Sequence, residues 1–172
     1  MSRRREQGVA ANWANVFDIL KAPAVGAIAV LAIALVAVFL LWITAAWEIY
    51  RYTLGPALPT SIGVFVHDVF FTDRGHLLIV AGVGLGFLFA LFAMAISIVS
   101  FPLLVDRDVG LDTAIRTSIR AVVANPLPMA LWGLIVAGGL VLGSIPVFVG
   151  LAVVLPVLGH ATWHLYRSLV PR

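Results

Sequence analysis

"VGAIAVLAIALVAVFLLWITAAWEIY" runs from Val25 to Tyr50 and meets no charged residue before Glu48. A helix rises about 1.5 Å per residue, and a hydrocarbon core about 30 Å thick takes about 20 apolar residues. This stretch is long enough to cross a bilayer, and that decides the class of fold. The segment before it, "MSRRREQG" (1–8), is basic. The apolar run is nevertheless too long for a secretory leader, and no convincing small-residue cleavage site follows. The sequence therefore predicts a membrane span that stays.

The rest of the chain agrees. Of the 172 residues, 62% are hydrophobic and 11% charged, against about 25% charged in a typical soluble domain. A second apolar run covers 76–105, "HLLIVAGVGLGFLFALFAMAISIVSFPLLV". A third, from Pro126 to Tyr166, is too long for one crossing, and Gly143-Ser144-Ile145-Pro146 offers a tight turn within it. The expectation is an all-α, polytopic helical membrane protein with about four transmembrane helices, near 25–50, 76–105, 127–143 and 146–166, in one membrane domain.

Charge placement tests that count. With both termini inside, the inner side holds Arg3, Arg4, Arg5, Lys21, Arg107, Arg116, Arg120, Arg167 and Arg172, and the outer side holds Arg51 and Arg74. Nine against two obeys the positive-inside rule, and three spans would give seven against four. The expected location is the inner membrane, multi-pass, with N- and C-termini cytoplasmic. Because the basic residues are spread between apolar segments, they do not suggest a nucleic-acid partner.

Three connecting stretches read as amphipathic interfacial helices, near 12–22, 61–71 and 111–124. In the first, Trp13, Val16, Phe17 and Leu20 share a face, and in the second Ile62, Phe65, Val66, Val69 and Phe70 do. In the third, Leu111, Ile115, Ile119 and Val122 form an apolar stripe beside a charged one of Asp112, Arg116 and Arg120. The first and third each end in a pair closed by proline, Ala22-Pro23 and Asn125-Pro126, and each feeds a span. Proline suits the first turn of a helix because its missing N–H has no partner there. This suggests a weak repeat of amphipathic helix, proline and membrane hairpin.

The absence of cysteine excludes disulfides, zinc–thiolate sites, iron–sulfur clusters and cysteine nucleophiles. No serine–histidine–acid order, glycine-rich phosphate loop or close carboxylate pair stands in a plausible setting, so no enzyme activity and no catalytic residue are expected. Gly82, Gly86 and Ala90, four apart, form a strip suited to close helix packing. Pro102 disturbs the end of the second span, where Asp106, Arg107 and Asp108 emerge. With Asp112, Arg116 and Arg120 they make an interfacial charge cluster, Asp106 or Asp108 pairing an arginine such as Arg107 or Arg116. Glu48, among Trp42, Trp47, Tyr50 and Tyr52, belongs to the outer aromatic belt.

Near the C-terminus, "GHATWHLYR" (159–167) sets His160 and His164 on one helical face. Two imidazoles can share a metal ion, but a full site needs three or four ligands. His67 and His76 fall on the opposite side of the membrane in the four-span arrangement. The alternative reading is structural: Trp163, Tyr166 and Arg167 act as membrane anchors, with the histidines at the polar boundary. No cofactor is expected.

The segments "SFPLLVDRDVGLDTAIRTSIRAVVANPLPMALW" (100–132) and "VGLAVVLPVLGHATWHLYR" (149–167) resemble a bacterial family of predicted integral membrane proteins known only as a domain of unknown function, DUF2189. Typical members carry one more hydrophobic hairpin before a basic loop, and "MSRRREQG" stands where that loop would be. The resemblance implies a membrane protein over nearly the whole chain and no known activity. Three roles stay open. The first is a structural, assembly or regulatory partner of other membrane proteins or of a second copy. The second is a small transporter or channel subunit, and the third a metal- or haem-binding accessory of a respiratory complex. The lipid bilayer is a partner in all three.

Overall fold

The structure, a computed structural model, describes residues 23–169. All regular structure among them is α-helix: α1 Pro23–Thr53, α2 Ile62–Phe71, α3 Asp73–Ser97, α4 Ser100–Asp106, α5 Leu111–Ala124, α6 Pro126–Ser144 and α7 Leu151–Leu169. The interfacial helix expected at 12–22 lies outside the described residues. The prolines fall where helix chemistry favours them, since Pro23 opens α1 and Pro126 opens α6.

Among the described residues, three stretches are long and apolar enough to cross a membrane: Ala24–Thr53, Asp73–Asp106 and Pro126–Ser144. Their most apolar 18-residue windows are only 6%, 0% and 11% buried. Side chains such as Ile33, Val36, Leu40, Phe87 and Leu134 lie exposed. Water would not tolerate so much uncovered apolar surface, whereas lipid does. α7 has the length, at 19 residues, but not the apolarity of the other three. His160, His164 and Arg167 dilute its second half.

The described residues divide into two compact units, one of Ala32–Ala93 and one of the residues up to Leu31 together with those from Met94 onward. In the first, Gly55, at φ 96, follows the end of α1 in a conformation that favours glycine. The Tyr50 hydroxyl donates to the Ala57 carbonyl (2.8 Å) and ties down the loop beyond. Ser61 caps α2, its Oγ accepting from the Val64 N–H (3.2 Å). Thr72 forms the corner into α3. Its hydroxyl donates to the Asp68 carbonyl (2.5 Å) and accepts from the Gly75 N–H (3.0 Å). Of the apolar stripe expected on α2, Val69 is buried while Ile62 and Phe70 are exposed.

The other unit holds a core built from Leu31, Ile98, Val99, Leu103, Leu104, Ala114, Val122, Met129 and Tyr166. The expected unbroken span 76–105 is interrupted here, with α3 ending at Ser97 and α4 beginning at Ser100. Pro102 stands in the first turn of α4, where a missing N–H is tolerated. Two serines satisfy the break. The Ser100 hydroxyl donates to the Ile96 carbonyl (2.7 Å), and the Ser118 hydroxyl on α5 accepts from the Val99 N–H (3.2 Å).

α5 has the bounds expected of it, Leu111–Ala124. Its buried line is Ala114, Ser118 and Val122, packed within this core, while Ile119 stays partly uncovered. Leu111 and Ile115 are partly buried against the same core, so part of the apolar face of α5 meets protein, while Arg116 and Arg120 stay exposed. Small side chains at 114 and 118 let the helices approach closely.

α6 and α7 form a hairpin. The turn was expected at Gly143–Pro146, but the chain stays helical to Ser144 and turns through residues 145–150. Gly143 serves packing instead of turning. A Cβ there would lie 2.7 Å from Leu151 Cδ2, and one at Gly139 would lie 3.3 Å from Val154 Cγ1. Val147 (φ 49) and Phe148 (φ 64) take left-handed conformations that L-residues resist. Val147→Gly should therefore stabilise the protein, by ~1 kcal/mol, by releasing that strain. Thermal melting in mild detergent is the check, and a lower midpoint would refute it.

Candidate functional site

α4 ends at Asp106, and Arg107 follows in an extended conformation, its N–H donating to the Leu103 carbonyl (2.9 Å). α7 brings Tyr166 and Arg167 to the same place across 60 residues of sequence. Tyr166 is 1% exposed, and its hydroxyl donates to Asp106 Oδ2 at 2.8 Å. Arg107 Nε and Arg167 Nη1 each stand 3.8 Å from that same oxygen. The Arg167 guanidinium lies 6.0 Å from the Trp163 ring centre, and Trp163 meets Tyr166 at 5.5 Å in a tilted pair.

This junction links the end of the second long span to the last helix. Burying a carboxylate is costly unless it is hydrogen-bonded and paired. Here one hydroxyl and two guanidiniums do both. Tyr166 was expected to anchor in the headgroup layer with Trp163 and Arg167. It is instead the buried pivot of the junction, because its ring fills the core while its hydroxyl reaches the acid.

The other charges sort differently. Arg116 Nε lies 2.8 Å from Asp112 Oδ1 one turn earlier on α5, both side chains being exposed. That bond holds Arg116 more firmly in its charged form. Arg116 is therefore not the partner of Asp106. Asp108 and Arg120 are exposed. Glu48 pairs with Arg51 at 2.9 Å on the exposed end of α1.

The glycine strip engages at one of its three positions. A Cβ at Gly86 would lie 3.4 Å from Trp42 Nε1, one at Gly82 would meet nothing within 4 Å, and Ala90 is exposed. The close packing that the sequence reading missed is on α6, where Gly139 and Gly143 carry the same four-residue spacing. His160 and His164 are both exposed, and helical spacing sets them on a different face of α7 from Tyr166. Among the described residues no group of three His, Cys, Asp or Glu side chains is placed to hold a metal ion.

Long apolar helices with uncovered faces, joined by short helical connections, define a helical integral membrane protein. Within that class, the chain belongs to the family described as predicted integral membrane protein (DUF2189), whose sequence model matches residues 1–106. The match ends at Asp106, so most of the two segments that carried the resemblance lies beyond it. No curated protein and no solved structure matches the chain significantly.

Proposed function

We propose that this protein is a non-enzymatic, multi-pass inner-membrane protein that acts as a structural, assembly or regulatory partner of other membrane proteins. The observation that carries this reading is the open strip on α3. A Cβ at Gly82 would meet nothing within 4 Å and Ala90 is exposed, a surface that lets another helix approach its backbone. The α3–α4 break supports the same reading against a substrate pathway. Its Val99 N–H and Ile96 carbonyl are taken up by Ser118 and Ser100, so these groups are not offered to a solute. The test is purification in mild detergent from native membranes. A membrane protein should co-purify in fixed ratio, and Gly82→Leu should release it. A wild-type chain that runs alone would sink the reading.

For topology we favour four spans with both termini cytoplasmic. The nine-to-two charge split supports this, and so does the length of α7, 19 residues, close to the roughly 20 that a span takes. A phosphatase reporter fused after Arg172 should be inactive and one fused near Pro59 active. Activity at Arg172 would leave three spans.

A further inference from the structure

We propose that the turn between α6 and α7, residues 145–149, is seated among the acyl chains of the leaflet opposite Asn125 and does not emerge into water. The proposal rests on the membrane placement of the α6–α7 hairpin and not on the partner role.

From Pro126 to Gly159 the chain holds no charged residue and one hydroxyl, that of Ser144. Turns are ordinarily built from glycine, proline, asparagine, aspartate or serine. The other connections carry polar side chains: Thr60 and Ser61 precede α2, Thr72 precedes α3, Arg107 and Asp108 precede α5, and Asn125 precedes α6. The link Ile98–Val99 lacks them as well, but it is buried in the core. In the α6–α7 turn Ile145, Val147, Phe148 and Val149 are 72%, 82%, 66% and 73% exposed. The hairpin itself leaves these side chains uncovered. Acyl chains cover such a surface without the loss that water imposes.

The main chain is closed in the way lipid requires, since an unbonded N–H or C=O is costly there. The N–H groups of Ile145, Val147, Phe148, Val149 and Leu151 donate to the carbonyls of Val141, Ile145, Ser144, Pro146 and Phe148, at 3.2, 2.9, 3.2, 3.0 and 3.1 Å. Pro146 has no N–H to leave open. The Ser144 hydroxyl donates to the Leu140 carbonyl at 2.7 Å, within its own helix. Val147 and Phe148 hold left-handed conformations that glycine would adopt at less cost. Such strain persists where a side chain serves, and here it adds two large apolar groups to the turn.

Length places the turn. α6 has 19 residues, which span about 28 Å against a hydrocarbon core about 30 Å thick. Started from Asn125, it stops just short of the opposite headgroups. α7 returns beside it: a Cβ at Gly139 would lie 3.6 Å from Leu158 Cδ1, and Tyr166 shares the core with Met129.

The chain has no cysteine, so a single introduced one carries a single nitroxide spin label. The labelled full-length variants are Val147→Cys and Val149→Cys in the turn, Leu134→Cys on the exposed face of α6 and Asp108→Cys in the exposed loop before α5. They are placed in phosphatidylcholine–phosphatidylglycerol vesicles with oxygen, which concentrates in hydrocarbon, or with a water-soluble nickel chelate on both sides. Both turn positions should collide with oxygen more than with nickel, as Leu134→Cys does, and Asp108→Cys should show the reverse. Nickel exceeding oxygen at either turn position, with Leu134→Cys in lipid, would overturn the proposal and leave the span standing. Few collisions with both reagents at the turn would mean that protein covers it, and would overturn the lipid assignment. Nickel exceeding oxygen at Leu134→Cys would remove the membrane placement of α6 and the proposal with it. If Val147→Cys does not fold, Val149→Cys, at a position without positive φ, decides alone.

Discussion

Asp106→Ala should lower stability in mild detergent by about 2 kcal/mol, because it strips the shared partner from three groups at once. Tyr166 would keep a buried hydroxyl with no acceptor, and such a group costs about 1–3 kcal/mol. Arg107 and Arg167 would face each other without the carboxylate between them. Their partial exposure lets water take up part of the loss, which keeps the figure below that of a fully buried pair. Tyr166→Phe removes only the hydroxyl and keeps the ring in the core. It should cost about 1 kcal/mol, in line with hydrogen bonds measured inside membrane proteins. The double variant should cost less than the sum of the singles, since both remove the same bond. Melting curves of the three variants measure the coupling. Strict additivity would mean that the 2.8 Å contact contributes nothing, and an unchanged Asp106→Ala would reduce the junction to decoration.

The parts of this fold that the sequence announces are those where one physical effect dominates. Apolar runs longer than about 20 residues have few uses other than crossing lipid, so α1 and the α3–α4 stretch were legible to within a few residues. Pro23 and Pro126 mark helix starts because proline has a single cheap position there. The helix Leu111–Ala124 was legible from its periodicity, but what covers its apolar face was not. Amphipathicity states that a face is buried and is silent on whether lipid or protein buries it. The side chains that decide the matter are Ala114 and Ser118, too small and too mildly polar to stand out in a hydrophobic pattern. Tyr166 failed for a related reason. A tyrosine beside Trp163 and Arg167 suits an aromatic belt, and equally a core position with an acceptor in reach. Only the partner distinguishes them, and Asp106 is 60 residues away. The helix break at Ile98–Val99 lies four residues before Pro102, where the proline's missing N–H and its ring disturb the helix ladder, and Ser118 takes up the Val99 N–H there. The Gly139–Gly143 spacing was readable, but Gly143 was assigned to the turn that follows it.

The sharpest conflict between local and tertiary preference sits at Gly75, and it gives the second large effect. Gly75 lies in the first turn of α3. By helix propensity alone, Gly75→Ala should stabilise, by up to about 1 kcal/mol. The corner around Thr72 reverses that sign. A Cβ on residue 75 would run into the main-chain carbonyls of Asp68 and Val69, at the end of α2. A flexible side chain could turn away from such a contact, but a carbonyl inside a helix cannot move without its turn. Relief would require α2 and α3 to separate. That would stretch the bond from the Gly75 N–H to Thr72 and the bond from His76 Nε2 to the Phe70 carbonyl, both 3.0 Å. Overpacking of this kind costs about 1–3 kcal/mol and more where backbone must shift. We therefore expect Gly75→Ala to lower stability by about 3 kcal/mol, opposite in sign to propensity. Gly84→Ala is the matching control, since it lies in the same helix with nothing within 4 Å of an added Cβ, and it should be neutral or stabilising. Melting of both variants in mild detergent separates the two effects. A Gly75→Ala protein as stable as Gly84→Ala would mean that α2 does not pack on α3 at this corner.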